Sequence, residues 1–477
     1  MTTITDPQER RLLVGGRLVE ADTTIAVENP ATGENAGDCP VASPALLDEA
    51  VDGAVHAGRA WAADPDGRRR ALEAVAGVLV DNADLLARTL SLETGLPIND
   101  AGFEVAAAAG FARYRASVPL PVDVIHDDGR QRVHVHRAPI GVVAAIIPWN
   151  APIMIAAEKI STSLAAGNTV VLKPSPLAPL ATVLLGKLLA DVLPPGVLNV
   201  VVGGDDLGAA LVAHPGVGMV SFTGSTGAGR AIMAAAAPRL KRLSLELGGN
   251  DAAIVLPDVA VETVAAKIFM GAFYRGGQVC AAIKRLYVHD DVVEQLVGAL
   301  TRLAEATIVG DPLDPATTMG PIANRPQFER VRALVDSAAA SGGTLVTGGE
   351  PSPGPGLFYP PTLVLGLDPG ADLVAQEQFG PALPVLSFSD VDEAVEAANA
   401  TDFGLGASVW TSDVGAGTAI AARLDAGSAW VNRHALVVPD VPFGGTKQSG
   451  VGRANGAVGL DTYCELRTVS VALPRRK

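Results

Sequence analysis

Residues 138–176 read APIGVVAAIIPWNAPIMIAAEKISTSLAAGNTVVLKPSP, and this stretch decides the fold. Its first twenty residues, Ala138–Ala157, carry no charged side chain, which is the length of a membrane span. They also hold Pro139, Pro148, Trp149, Asn150 and Pro152. A lipid-exposed helix cannot leave that many backbone groups unpaired, so a buried strand running into a tight turn is expected. The next apolar run, Thr169–Leu172, is short and β-branched and meets the connector Lys173-Pro174-Ser175-Pro176, so it reads as a second strand.

Further apolar runs lie outward at Val197–Val202, Met219–Phe222 and Leu243–Leu245, after a first one at Gly141–Ile147. Helical patterns separate them over Ala178–Val192, Asp206–Ala213 and Gly227–Ala235. Strand, helix and strand at this spacing predict βαβ units and a parallel sheet, an α/β fold. Strands apolar throughout predict a sheet covered on both faces. A second series starts at Asp251. It runs through a strand Ala252–Leu256, a helix to Phe273, a strand Arg285–Val288 and helices Val292–Ala306, Gln327–Ala340 and Val391–Ala400. Strands Gly406–Trp410 and Ser428–Val431 follow, and Pro351–Gly356 reads as a surface loop.

The N-terminal hundred residues read largely as helices, over Pro44–Ala62 and Gly67–Thr94, the second stopped by Gly95 with Pro97 just beyond. Leu120–Arg137 differs, with an Asp127-Asp128-Gly129 turn and alternating Val133 and Val135, and it predicts a hairpin. Its expected partner is Arg467–Leu473, the two forming an arm able to complete a sheet in another subunit.

Composition narrows the function. Apolar residues are 48% of 477, enough for a large core, and charged residues only 18%, which excludes a disordered chain. The formal charge of −15 disfavours a nucleic-acid surface. Cys39, Cys280 and Cys464 are too sparse for a disulfide framework and form no C-x-x-C pair, and the histidines show no H-x-x-x-H spacing, so no metal is expected. The polar start, Met1 to Arg11, has no apolar core of a signal peptide, which makes a reducing cytoplasm the simplest location.

Chemistry-bearing residues sit at strand ends. Cys280 lies between glycines and alanines, which leaves room around its sulfur, although a lone cysteine is more often an inert buried thiol. Glu246, before Leu247-Gly248-Gly249, ends an apolar strand, where a desolvated carboxylate can act as a base. Phe222-Thr223-Gly224-Ser225-Thr226 is a Gly-containing strand-to-helix turn, able to approach a phosphate or simply to turn. Lys173 and Ser175 could bond ribose hydroxyls, though a Pro-rich connector with a snorkelling Lys is the commoner pattern, and the Asn150 amide could donate to an oxyanion or simply make a turn.

Together these stretches change meaning. Pro148-Trp149-Asn150, Lys173-Pro174-Ser175, Phe222-Thr223-Gly224-Ser225-Thr226, Glu246-Leu247-Gly248-Gly249, Gly277-Gln278-Val279-Cys280, Glu377-Gln378-Phe379-Gly380-Pro381 and Pro442–Gly450 occur in one order over nearly the whole chain. The sequence resembles the aldehyde dehydrogenase superfamily of NAD(P)-dependent enzymes. The resemblance implies a Rossmann-like cofactor domain (1–116 and 138–247), an α/β catalytic domain (248–445) and a β-hairpin oligomerisation arm (117–137 and 461–477). It implies Cys280 as nucleophile, Asn150 with the Cys280 N–H as oxyanion hole, and Glu246 as the base that activates water. It implies cofactor contacts from Trp149, Lys173, Ser175, Pro176, Gly204, Gly208, Phe222, Gly224, Ser225, Glu377 and Phe379, with NAD or NADP as cofactor. The product would be a free acid, since coenzyme A-acylating relatives typically lack the Glu246 carboxylate. That activity, or a silent structural member of the same fold, is the alternative. The expected partners are a small-molecule aldehyde and further copies of the chain, as homodimer or homotetramer, with no nucleic acid or membrane.

Some positions depart from the family pattern. Pro176 stands where many NAD-using members have Glu, which removes one reason to reject NADP. Arg275 replaces a usual Asn five residues before Cys280; it would either lower the thiol pKa or form a surface salt bridge. Ala151, Glu158 and Val437 stand where the family often has aromatics. Smaller groups imply a wide, mostly apolar mouth for a bulky aromatic or branched aldehyde, whereas Glu158 could instead attract a cationic aminoaldehyde.

Overall fold

A computed structural model describes residues 11–474. Of the polar start, only Arg11 lies within the described residues, and 475–477 of the expected arm lie outside them. No described helix is long and apolar enough to cross a membrane.

Two sheets carry the chain. The first has eight strands in the order Arg17–Val19, Leu12–Val14, Leu198–Val200, Thr169–Lys173, Val142–Ile146, Val217–Thr223, Arg242–Glu246 and Gly450–Val451. Its five central strands are parallel. Val142–Ile146 and Thr169–Lys173 are buried along their whole length, as their continuous apolar character predicts. The chain builds outward from Val142–Ile146 on one side, then returns to lay Val217–Thr223 on the other. That reversal opens a crevice at the C-terminal ends of these two strands, where α/β proteins take ligands.

At Glu246, which pairs with Gly450, the chain leaves the first sheet. It enters the second at Asp251, in a seven-stranded sheet ordered Thr344–Thr347, Thr362–Leu365, Ala382–Phe388, Ile283–His289, Asp251–Val255, Gly406–Trp410 and Ser428–Val431. All but the first strand run parallel. The hairpin expected at Leu120–Arg137 is present as Val122–Asp127 and Gln131–Pro139. It pairs with Cys464–Ala472 in a third sheet, with Val469 opposite His134. Asn168 roots this sheet in the body. Its side chain accepts from the Ile140 and Gly141 N–H groups and donates to the Tyr463 carbonyl at 2.8 Å.

Three parts differ from expectation. Residues 12–41 are strands rather than helix; Leu12–Val14 extends the first sheet, and Thr23–Glu28 pairs with Asn35–Val41. The helix expected over Gly67–Thr94 is two, Pro65–Asp81 and Ala83–Thr94. Asn82 divides them because both its side chain and its N–H donate to the Val78 carbonyl, which ends the ladder. Gly95, at φ 73°, does stop the second. Finally, Pro152–Ala165 is a helix for which no stripe pointed, because it is buried on nearly every side and so shows no amphipathic period.

Candidate active site

Asn150 follows the central strand Val142–Ile146 and precedes the helix Pro152–Ala165. Its Nδ2 donates to the Gln278 carbonyl at 2.9 Å, across 128 residues. Cys280 follows a tight turn, Tyr274–Gly277, in which Arg275, Gly276 and Gly277 all have positive φ. At Gly277 a Cβ would lie 2.4 Å from the Gly380 carbonyl oxygen, so only glycine fits. Glu246 ends its strand. Asn150, Glu246 and Cys280 line one cavity of about 220 Å³, whose walls also include Ala151, Glu158 and Val437.

The charges around this cavity are strongly perturbed. Neither oxygen of the buried Glu246 carboxylate has a hydrogen-bond partner among the described residues. Burial pushes its carboxyl up to about 8, opposed by the nearby Lys159 charge and reinforced by Glu158. Lys159, itself lowered by burial, donates to Ser221 Oγ at 2.9 Å and lies 4.0 Å from Glu158 Oε2. Burial pushes the Cys280 thiol up to about 12, and Lys284 is the cation that works in favour of its thiolate.

The cofactor-side residues gather along the strand ends. Lys173 is buried, and burial lowers its ammonium to about 8, with Asp205 opposing. Among the described residues its Nζ reaches only the Pro174 carbonyl, at 3.5 Å. A Cβ at Gly208 would stand 3.6 Å from the Lys173 stem, and Gly204 caps the helix Asp205–Ala213 beside open space. Ser175 Oγ accepts from Leu177 N–H, with Pro176 next in the chain. Ser225 caps the helix Thr226–Ala236. The Gly224 N–H is already spent on the Glu246 carbonyl, and Phe222 is buried with its ring packed where a Gly224 Cβ would go. Glu377 accepts from Gly249 N–H at 3.0 Å, and a Cβ at Gly248 would sit 2.2 Å from its other oxygen. Trp149 meets Phe379 edge to face, 5.4 Å between centroids. Two helix N-termini, a buried ammonium short of acceptors and a carboxylate form a donor set that fits a dinucleotide: anions at the helix ends, ribose hydroxyls on Lys173 and Glu377.

The sequence profile of the aldehyde dehydrogenase family matches residues 18–469. The chain belongs to the aldehyde dehydrogenase family. It is an NAD(P)-dependent enzyme that oxidises an aldehyde to the acid. It is 41% identical to a phenylacetaldehyde dehydrogenase of Pseudomonas fluorescens, over 97% of this chain and 96% of that one. It is 37% identical to a betaine aldehyde dehydrogenase of Cereibacter sphaeroides, over 96% of each. The crystal structure of an NAD-dependent aldehyde dehydrogenase from Sinorhizobium meliloti superposes with a TM-score of 0.94 at 35% identity, over 99% of this chain and 97% of that one.

In this aldehyde dehydrogenase Arg275 reaches the site, lining the same cavity as Cys280. It is not in a surface salt bridge, being 7% exposed, and the cation that favours the thiolate is Lys284. Its guanidinium pairs with Glu104, whose side chain is wholly buried. Burial works against the Arg275 charge, but Glu104 and Tyr274 hold it above its usual value. The other Glu104 oxygen accepts from Ile153 and Met154 N–H at 2.9 and 3.1 Å, capping the helix Pro152–Ala165. Sequence reasoning missed Glu104, Lys159, Asp251, Lys284 and His434. Glu104 lies 171 residues from Arg275, and a lone Lys in an apolar run carries no signal of its partner.

Breaking a buried ion pair leaves an uncompensated charge. Arg275→Met is therefore expected to destabilise the enzyme by about 3–5 kcal/mol. Urea unfolding would show it, and Arg275→Met combined with Glu104→Gln should recover part of the loss.

Proposed function

We propose that Cys280 is the nucleophile, that Asn150 and the Cys280 N–H form the oxyanion hole, and that Glu246 is the general base for hydrolysis. The observation that carries this reading is that all three border one cavity at the strand-end crevice. The Cys280 thiol gives up its proton to water as its sulfur attacks the aldehyde carbon, and the new oxyanion takes hydrogen bonds from Asn150 Nδ2 and the Cys280 N–H. Nicotinamide, when bound, supplies a hydride acceptor. Glu246 then takes a proton from the water that attacks the Cys280 thioester, which frees the acid and restores the thiol. Lys173 and Ser175 would hold the adenosine ribose, with Pro176, Gly204 and Gly208 beside them. Ser225, next to Gly224 and over Phe222, would face the pyrophosphate, and Glu377 the nicotinamide ribose, between Trp149 and Phe379.

The substrate we infer is a bulky aromatic or branched aldehyde. Ala151 and Val437 in the wall leave width, and Phe103, Phe111 and Phe443 line the same space. The likeness to a phenylacetaldehyde dehydrogenase supports this. A cationic aminoaldehyde draws on Glu158 in the wall, but Lys159 already sits beside that carboxylate. The units we infer are 1–116 with 138–247 for the cofactor, 248–445 for catalysis, and an arm of 117–137 with 461–477. Exposed Val122, Val124, Ile125, Leu466, Val469 and Val471 on that arm support a homodimer or homotetramer.

A carboxylate must be ionised to act as a base. The rate of thioester hydrolysis, read as acid release after the burst, should therefore rise with pH through about 8 and then level. Glu246→Gln should lose that limb and slow hydrolysis by roughly 10²–10⁴-fold; an unchanged rate overturns the assignment. Across an aldehyde panel, kcat/KM should favour aryl and branched members over acetaldehyde. In the same assay Pro176→Glu should shift selectivity from NADP towards NAD by roughly tenfold, through repulsion of a 2′-phosphate. Light scattering of the chain ended at Leu466 should give a smaller assembly than the intact chain, and a monomeric intact chain ends the arm proposal.

A further inference from the structure

Lys284 is not among the motif residues, yet it touches both the Cys280 backbone and the Glu377 carboxylate. It is the second residue of the strand Ile283–His289, and its side chain is 2% exposed. A buried ammonium needs an acceptor for each of its three N–H bonds. Lys284 Nζ donates to the Val279 carbonyl at 3.0 Å and to the Cys280 carbonyl, and it lies 3.4 Å from Glu377 Oε1. It also stands 5.9 Å from the Phe379 ring. Its own carbonyl accepts from Gln378 Nε2 at 3.0 Å, which ties the strand to the segment that carries Glu377.

The peptide bond turns these contacts into orientation. The Val279 carbonyl and the Cys280 N–H belong to one planar trans unit and point in opposite directions. Holding the Val279 oxygen on Lys284 therefore aims the Cys280 N–H the other way. Asn150 holds the preceding carbonyl, Gln278, from another side. The same ammonium steadies the Glu377 carboxylate, which Gly249 N–H also grips.

We propose that Lys284 is the positioning residue that links the oxyanion-hole peptide of Cys280 to the carboxylate that receives the cofactor. The proposal rests on the roles assigned above to Cys280 and Glu377. Two consequences follow. Removing the ammonium loosens the Glu377 carboxylate, so NAD+ binds more weakly. It also removes the positive charge that favours the thiolate, so the thiolate becomes harder to form. The other titratable groups facing Lys284 are Asp251 on the adjacent strand, Glu377, and His434, which burial holds near 3 and which is neutral at ordinary pH. Asp251 and Glu377 oppose the thiolate, which leaves Lys284 as the cation that supports it.

The test compares Lys284→Met and Lys284→Arg with wild type. Iodoacetamide modification of the Cys280 peptide, followed by mass spectrometry in cofactor-free enzyme at pH 9, should be about tenfold slower in Lys284→Met, a one-unit rise in the thiol midpoint. NAD+ titrated calorimetrically should bind several-fold more weakly. Lys284→Arg keeps the charge and serves if the Met variant does not fold. Its modification rate should match wild type, while NAD+ binding falls, because a planar fork cannot place three divergent N–H bonds. Wild-type modification rates in Lys284→Met, a slowed rate in Lys284→Arg, or undiminished NAD+ binding in either variant would overturn the link. A Cys280→Ala enzyme that still forms acid would instead overturn the nucleophile assignment, so the two failures are distinguishable.

Discussion

The Arg275 guanidinium and the Glu104 carboxylate meet where the helix Ile98–Ser117, the start of the helix Pro152–Ala165 and the turn before Cys280 converge. Neither charge could remain ionised there alone, because the cost of taking it from water is several kcal/mol. Together they satisfy one another, and the remaining Glu104 oxygen satisfies two helix N–H groups. The pair thus fixes Asn150, just before that helix, relative to Cys280, five residues after Arg275. The hydrogen bond from Asn150 to the Gln278 carbonyl closes the same loop from the other side. The close approach of Gly277 to Gly380 then holds the turn before Cys280 against the segment that carries Glu377.

The same burial sets the proton affinities. Glu246 ends a strand between two sheets, with no hydrogen-bond partner at either oxygen among the described residues, and burial pushes its carboxyl up to about 8. Lys159, tied to Ser221, supplies the opposing charge, while Glu158 pushes the other way. Cys280 is held as a thiol for the same reason, and Lys284 leans against that. A carboxyl and a thiol, both with raised pKa, thus border one cavity and keep their protons at rest. The chemistry then requires protons to move, and the groups able to move them border one space.

Legibility followed from pattern length and from burial. The strands Val142–Ile146 and Thr169–Lys173 were plain because a strand covered on both faces is apolar throughout, whatever packs on it. Gly95 announced a helix end because its left-handed backbone suits glycine. The helix Pro152–Ala165 was hidden by the reverse effect, since burial on all sides erases the period that marks a surface helix. The break at Asn82 was hidden because one polar residue within a helical pattern is ordinary, and only its double bond to Val78 makes it a stop. The motif residues were legible as a set through their order along the chain. Their partners were not, because Glu104, Lys159 and Lys284 belong to no local pattern.

By itself the sequence determined the α/β class, the parallel strands, the hairpin and the family, because these depend on local periodicity, turn chemistry and the order of short motifs. Only the tertiary structure decided where Arg275 spends its charge, why Glu246 holds its proton to about 8, and which ammonium favours the thiolate. Each of these depends on groups brought together from distant parts of the chain. The energy of a charge is set by the dielectric and the neighbours around it, and those exist only once the chain has folded.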